Sequence, residues 1–195
     1  MPQVQIRKIE SYDPAALDAA VKSFLREMPL SRVNRSKRVL IKPNLLGAYP
    51  PERAVTTHPA VVEALVRYWL EKGKEVWIGD SPGGALNVER VWETCGYNDL
   101  AKRYPVKLVN LSTAGFRELD YEGTGVKISE VFWRCGIIIN VAKYKTHSLT
   151  GFTGGLKNLY GLVPGLIKTD YHRLYPATKD FAALLLALYR LTRSR

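Results

Sequence analysis

The chain has 195 residues, with 29 Lys and Arg against 18 Asp and Glu, a formal charge of +11 and a pI near 9.7. At 46% apolar and 24% charged residues the composition is that of an ordinary globular protein, which excludes disordered, collagen-like and coiled-coil classes. The longest apolar run is nine residues, Phe181 to Tyr189, against about 20 needed to cross a bilayer, and Met1-Pro2-Gln3-Val4 has no apolar signal core.

These features predict a soluble, cytoplasmic chain folded as one α/β domain over residues 1–195, with no membrane partner. Cys95 and Cys135 are the only cysteines. They form no C-x-x-C pair and are too few for an iron–sulfur cluster within this chain. The positive charge is spread along the sequence without a Lys/Arg block, so it does not by itself choose among nucleic acid, anionic lipid and acidic substrates.

In chain order, residues 3–9 alternate polar and apolar as a half-buried strand does. Asp13-Pro14 reads as an N-cap and first helical position for a helix from Ala16 to Met28, ended by Pro29. Val39-Leu40-Ile41 is a buried strand, followed by a Pro-rich loop from Pro43 to His58. Pro59 opens a helix over Ala60–Lys72 with Gly73 as its C-cap. Val76-Trp77-Ile78 is the next strand, and Asn87 caps a helix to Cys95, closed by Gly96. Val106–Val109 is a strand, and one or two short strands flank Glu122-Gly123-Thr124-Gly125. Ile137-Ile138-Ile139 is a further buried strand. Gly154-Gly155 precedes a short helix to Tyr160, and a last helix covers Ala177–Leu191. Short apolar strands alternating with helices predict an α/β fold with a mostly parallel sheet and flanking helices. The layering is Rossmann-like without a dinucleotide fingerprint, since Gly123-x-Gly125 lacks the third glycine.

Open α/β sheets bind ligands beyond the carboxyl ends of their strands. Three strands run into polar segments there: Lys42-Pro43-Asn44, Gly79-Asp80-Ser81-Pro82-Gly83-Gly84, and Asn140 to His147. Lys42 directly follows a buried strand, where it either snorkels to solvent or serves a pocket. Asp80 could hold a metal, a sugar hydroxyl or a lysine, or close an Asx-turn. Gly83 and Gly84, like Gly154 and Gly155, allow close backbone approach to an anion. Thr57 or His58 could merely cap the helix at Pro59; the His58 imidazole is also a candidate ligand or base.

Lys143, Lys145 and His147 have period-two spacing and project to one side of an extended segment. There they would repel one another unless an anion or carboxylate lies among them. Lys157 falls in the first turn of the short helix, where a cation is unfavourable unless an anion binds. The segment is not a Walker A loop, because Leu156 precedes Lys157. Lys168 and His172 add a cation and the third histidine. Ser81 does not sit in a nucleophile elbow, and the histidine spacings match no compact metal motif, although a divalent metal stays open.

With these residues in hand, Lys42-Pro43-Asn44, Thr56-Thr57-His58-Pro59, Gly79-Asp80-Ser81-Pro82, Asn140 to His147 and Gly155 to Gly161 resemble, in order, the family known as domain of unknown function 362. The resemblance spans about residues 37–175. It implies a redox context, because many members carry ferredoxin-type iron–sulfur modules, but it supplies no reaction. The chain lacks such a module and stops at Arg195, where members continue with a further α/β section. The last helix, apolar nearly all round, is therefore expected to meet a second copy, or a separate chain supplying that section.

The leading expectation is a pocket for an anionic small molecule, phosphorylated or carboxylated. Asp80, His58, His147 and Lys145 are the candidate catalytic residues. Lys42, Asn44, Ser81, Gly83, Gly84, Lys143, Gly154, Gly155, Lys157 and Asn158 are the candidate ligand contacts. Clustered ammoniums depress one another's pKa, so one lysine could serve as a base or Schiff-base nucleophile. The rival expectations are a non-enzymatic subunit docking on a ferredoxin-like iron–sulfur partner and, last, nucleic-acid binding, for which no recognition module is present.

Overall fold

A computed structural model describes residues 4–27, 36–83 and 87–193. Its frame is a four-stranded, fully parallel sheet in the order β3-β2-β1-β6. The strands are β1 (Arg38–Lys42), β2 (Glu75–Asp80), β3 (Val106–Asn110) and β6 (Ile137–Asn140). The chain steps outward from β1 to β3 and then returns to the other side of β1. The crevice between β1 and β6 is therefore the switch point at which such sheets bind ligands.

Alternation along β1 and β2 sorts the apolar side chains into two cores. Val39, Ile41, Val76 and Ile78 face α1 (Pro14–Glu27), α2 (Pro59–Glu71), α3 (Val88–Thr94) and α4 (Tyr97–Arg103). Leu40 and Trp77 face the other side, where α5 (Val131–Arg134), α7 (Gly165–Leu174) and α8 (Thr178–Thr192) lie beside the hairpin of β4 (Phe116–Tyr121) and β5 (Thr124–Ser129). That hairpin turns through Glu122 and Gly123 at φ 51° and 80°, the twist-matched two-residue turn. A second hairpin, β7 (Lys145–His147) and β8 (Gly151–Thr153), follows β6 and leads into α6 (Gly155–Asn158).

Local chemistry explains most boundaries. Asp13 Oδ2 accepts the Ala16 amide at 2.9 Å, and Asn87 Oδ1 accepts the Arg90 amide at 3.2 Å. Gly73 and Gly96 take the left-handed conformation after their helices, at φ 67° and 78°.

Several expectations need correction. Residues 4–9 are not a strand: Val4 and Ile6 are 83% and 90% exposed, and Gln5 and Arg7 bond to Glu27 and Ser23. The segment lies along α1, with no strand beside it among the described residues, and alternation alone does not bury a face. The expected end of the first helix at Met28-Pro29 falls outside the described residues. Helices α4 and α7 were not anticipated. Helix α8 is apolar on both faces, as expected, but its main apolar face is covered by this chain itself. Phe181, Leu184, Leu185, Ala187 and Leu188 are buried by this chain's own second core, while Leu186 and Tyr189 are about half exposed. Among the described residues no helix is long and apolar enough to cross a membrane.

A carboxylate at position 185 would be buried without a partner. Leu185→Asp should therefore cost about 3 kcal/mol or more in urea denaturation, whereas Leu186→Asp should stay within about 1 kcal/mol. Equal costs would contradict this packing of α8.

Candidate functional site

The polar segments after β1, β2 and β6 meet at the sheet's carboxyl edge. Lys42, wholly buried, sends its Nζ to Asp80 Oδ1 at 2.8 Å and to the Pro43 carbonyl at 3.1 Å. Burial pushes the Lys42 pKa down and Asp80 opposes that shift. Asp80 is already saturated on its own side, because Oδ2 accepts the Leu45 amide at 2.8 Å and Oδ1 the Ser81 amide at 2.9 Å. Asp80 thus acts as a structural brace tying β2 to the loop after β1.

The pair is sealed by Gly161, in the 3-10 turn Leu159–Leu162 that continues α6. Any Cβ there would fall on Asp80 Oδ1 and Lys42 Nζ, so only glycine fits without displacing them.

Three asparagines link the remaining segments. Asn44 Nδ2 donates to Asn158 Oδ1 at 3.0 Å. Asn158 Nδ2 donates to Asn140 Oδ1 at 2.8 Å, and Asn140 Nδ2 to the Gly155 carbonyl at 2.7 Å. Thr57 Oγ1 accepts the Asn44 amide at 2.9 Å and donates to the Val141 carbonyl at 2.7 Å. The loop after β1, the segment after β6 and α6 are thereby locked together.

Above this platform opens a cavity of about 520 Å3, a common size for a small-molecule site. Asn44, Asp80, Ser81, Gly83, Lys145, His147, Lys157 and Asn158 line it, together with Lys168 and His172, which the sequence offers as an added cation and histidine but not as candidate contacts, and Tyr160, to which it assigns no role. Lys42 lies beneath it. His58 and Lys143 are not among its lining residues. His58 caps α2 through Nδ1, accepting the Ala60 amide at 3.2 Å, and stacks on Tyr12 at 3.5 Å. Gly154 packs against Phe152, Gly155 gives its carbonyl to Asn140, and Gly84 lies outside the described residues.

The cavity is strongly electropositive. Asp80 is the one carboxylate among its lining residues and already faces Lys42. Lys145 is held by Asn44 Oδ1 at 2.8 Å and the Val55 carbonyl at 2.6 Å. Lys168 donates to the Ser81 carbonyl. Lys157 makes no hydrogen bond or ion pair among the described residues; its Nζ lies 5.0 Å and 5.4 Å from the ring centres of Tyr160 and Phe181.

Burial, followed by the charges of Lys145 and Lys42, lowers the Lys157 pKa to about 8. Burial lowers that of Lys168 to about 7, with Asp80 opposing and Lys42 and Lys157 adding to the shift. His147 and His172 are likewise lowered, first by burial and then by lysines of the same cluster. His147 Nδ1 accepts the Leu149 and Thr150 amides at 3.1 and 3.3 Å, which leaves Nε2–H as a donor. Among the described residues no three His, Cys, Asp or Glu side chains gather as a metal site. Cys95 and Cys135 are buried in different cores.

Two outcomes follow. Gly161→Ala should destabilise by about 1–3 kcal/mol in urea, because it wedges apart a buried ion pair; an unchanged midpoint would contradict the seal. Lys157 sets a pH dependence whose sign is fixed. Below about pH 8 both folded and unfolded chains carry the proton, and the cost of burying the charge is fully present. As pH rises from there toward 10.5 the folded form releases its proton first, so stability increases. Lys157→Met should thus raise the ligand-free Tm at pH 6.5, by about 2–4 °C per ~1 kcal/mol relieved, and raise it much less at pH 9.5. The same increment at both pH values would contradict it.

The family profile described as "Domain of unknown function (DUF362)" matches residues 39–194. The thylakoid-associated protein sll1697 of Synechocystis sp. (strain ATCC 27184 / PCC 6803 / Kazusa) is 31% identical over 175 residues, 87% of this chain and 53% of that relative. The chain thus spans about half the length of the curated relative it matches. The profile covers the sheet from Val39 onward, the asparagine-linked platform and every lining residue of the cavity, and the chain therefore belongs to the DUF362 family.

Proposed function

We propose that this protein binds a small anionic molecule, carrying carboxylate or phosphate groups, in the cavity over β1 and β6. The observation that carries this reading is a mismatch of charge. Lys145, Lys157 and Lys168 share one cavity, and the single carboxylate lining it is already paired with Lys42.

Each lysine has three N–H donors. Lys145 uses two, Lys168 one and Lys157 none. Spare donors, together with His147 Nε2–H, thus belong to residues that line one cavity. Such a set is unfavourable when empty, and an anion relieves both the repulsion and the unmet donors.

A redox-linked reaction and a ferredoxin-like partner rest on the family resemblance alone. The scaffold reading relied on α8 as a docking face, and Leu185, its central residue, is 4% exposed within this chain's own core. Nucleic-acid binding gains no support from cations drawn into a cavity.

Calorimetry at low ionic strength with pyruvate, citrate, inorganic phosphate and pyrophosphate tests the reading, with glycerol as the neutral control. At least one anion should bind while glycerol does not. Its Kd should weaken about tenfold or more in Lys145→Met, as expected when a charge-assisted hydrogen bond is removed. Kd should also weaken as pH rises from 7 to 9, because Lys168 and Lys157 lose their protons. Binding by none of the anions, or affinity indifferent to Lys145 and to pH, would overturn it.

A further inference from the structure

Lys157 differs from the other two cavity lysines. Lys145 and Lys168 are each tethered by carbonyl or amide oxygens, which fix their amines in place. Lys157 has no oxygen partner among the described residues and is supported by the faces of Tyr160 and Phe181. The Tyr160 hydroxyl is turned away, donating to the Lys168 carbonyl at 3.1 Å. The wall behind the Lys157 amine is therefore aromatic and offers no donor of its own. That suits a carbon substituent better than a phosphate, which needs donors on every side.

The same two rings hold His172. Its imidazole stacks on Phe181 at 4.7 Å and 12°, and meets Tyr160 edge-on at 5.6 Å. An amine and an imidazole on one aromatic shelf form a nucleophile beside a proton carrier.

Resting on the anion-binding reading above, we infer that the site takes a small 2-oxo acid and that Lys157 Nζ adds to its carbonyl carbon to form an imine, with His172 moving the protons. The carboxylate would lie against Lys145 and the His147 Nε2–H, and the carbon chain against Tyr160.

The balance is simple. His172 removes a proton from the ammonium, and the freed nitrogen pair forms the C–N bond. The carbonyl π pair moves to oxygen, which takes a second proton from the nitrogen. The hydroxyl, protonated by the imidazolium, leaves as water while the remaining nitrogen pair forms the C=N bond, which restores the neutral imidazole and leaves the third proton on nitrogen. Ammonium plus ketone gives protonated imine plus water, and no electron is gained or lost overall. The lowered pKa values of Lys157 and His172 favour the starting step, since both are more readily neutral near pH 7 than in water.

The test is reductive trapping. The full chain is incubated with pyruvate and sodium cyanoborohydride at pH 7, followed by intact mass and peptide mapping, with pyruvate binding measured in parallel by calorimetry. Hydride from the cyanoborohydride reduces the imine to a stable secondary amine. One reduced pyruvate adduct per chain is expected, located on Lys157. It should be absent in Lys157→Arg, which keeps the cation, and should form at least about tenfold more slowly in His172→Asn.

No adduct in the wild-type chain, an adduct that persists in Lys157→Arg, or adducts scattered over surface lysines would each overturn the inference. Pyruvate binding without an adduct would sink the imine while leaving the anion site standing. Loss of binding by every anion tested would sink both.

Discussion

The buried ion pair between Lys42 and Asp80 is the constraint on which the rest of this site depends. A charged lysine at the end of a central strand, with none of its surface in water, is tolerated only with a close counter-charge and satisfied donors. Asp80 provides the charge and in turn accepts the amides of Leu45 and Ser81. The pair therefore joins adjacent strand ends to the loops that follow them, and Gly161 brings the turn after α6 down on top. Because Asp80 is committed to this role, it cannot also neutralise the lysines above it. The structural brace is what leaves the cavity positive.

That division also explains the polar platform. Asn44, Asn140 and Asn158 carry no charge, yet they fix three separate segments by a chain of hydrogen bonds. Buried networks of this kind are favourable only when every member is satisfied, and in return they hold side chains in single positions. Lys145 is anchored to the first asparagine and Lys157 lies next to the last in sequence. The positions of Lys145 and Lys157 are thus tied to a neutral scaffold.

Much of this was legible in the amino-acid sequence, for physical reasons. Apolar triplets rich in β-branched residues, such as Val39-Leu40-Ile41, that end abruptly in polar residues read as short buried strands, and parallel strands put those ends on one edge. Period-two spacing grouped Lys143, Lys145 and His147 on one side; Lys145 and His147, both on β7, line the cavity, whereas Lys143, which precedes that strand, does not. What stayed hidden depended on contacts remote in sequence. Nothing local says that Lys42 is the lysine Asp80 holds. Lys168 and His172 enter the cavity on α7, a helix whose weakly apolar sequence gave no strong periodicity. Gly161 closed a recognised motif without an evident role, because its role is to be absent from a space filled by two side chains from other strands. The N-terminal alternation misled for the converse reason: a strand pattern with no neighbouring strand stays exposed.

The central claim is that an anion entering the cavity changes the protonation of lysines already held there. Proton uptake on binding measures this directly. Calorimetry at pH 8 with the tightest-binding anion, repeated in buffers of different ionisation enthalpy, yields the number of protons taken up per ligand bound. The account predicts net uptake approaching one proton, drawn to Lys157 and Lys168 as the bound charge raises their pKa values. Binding with no proton uptake, or with proton release, would show that these ammoniums do not form the site.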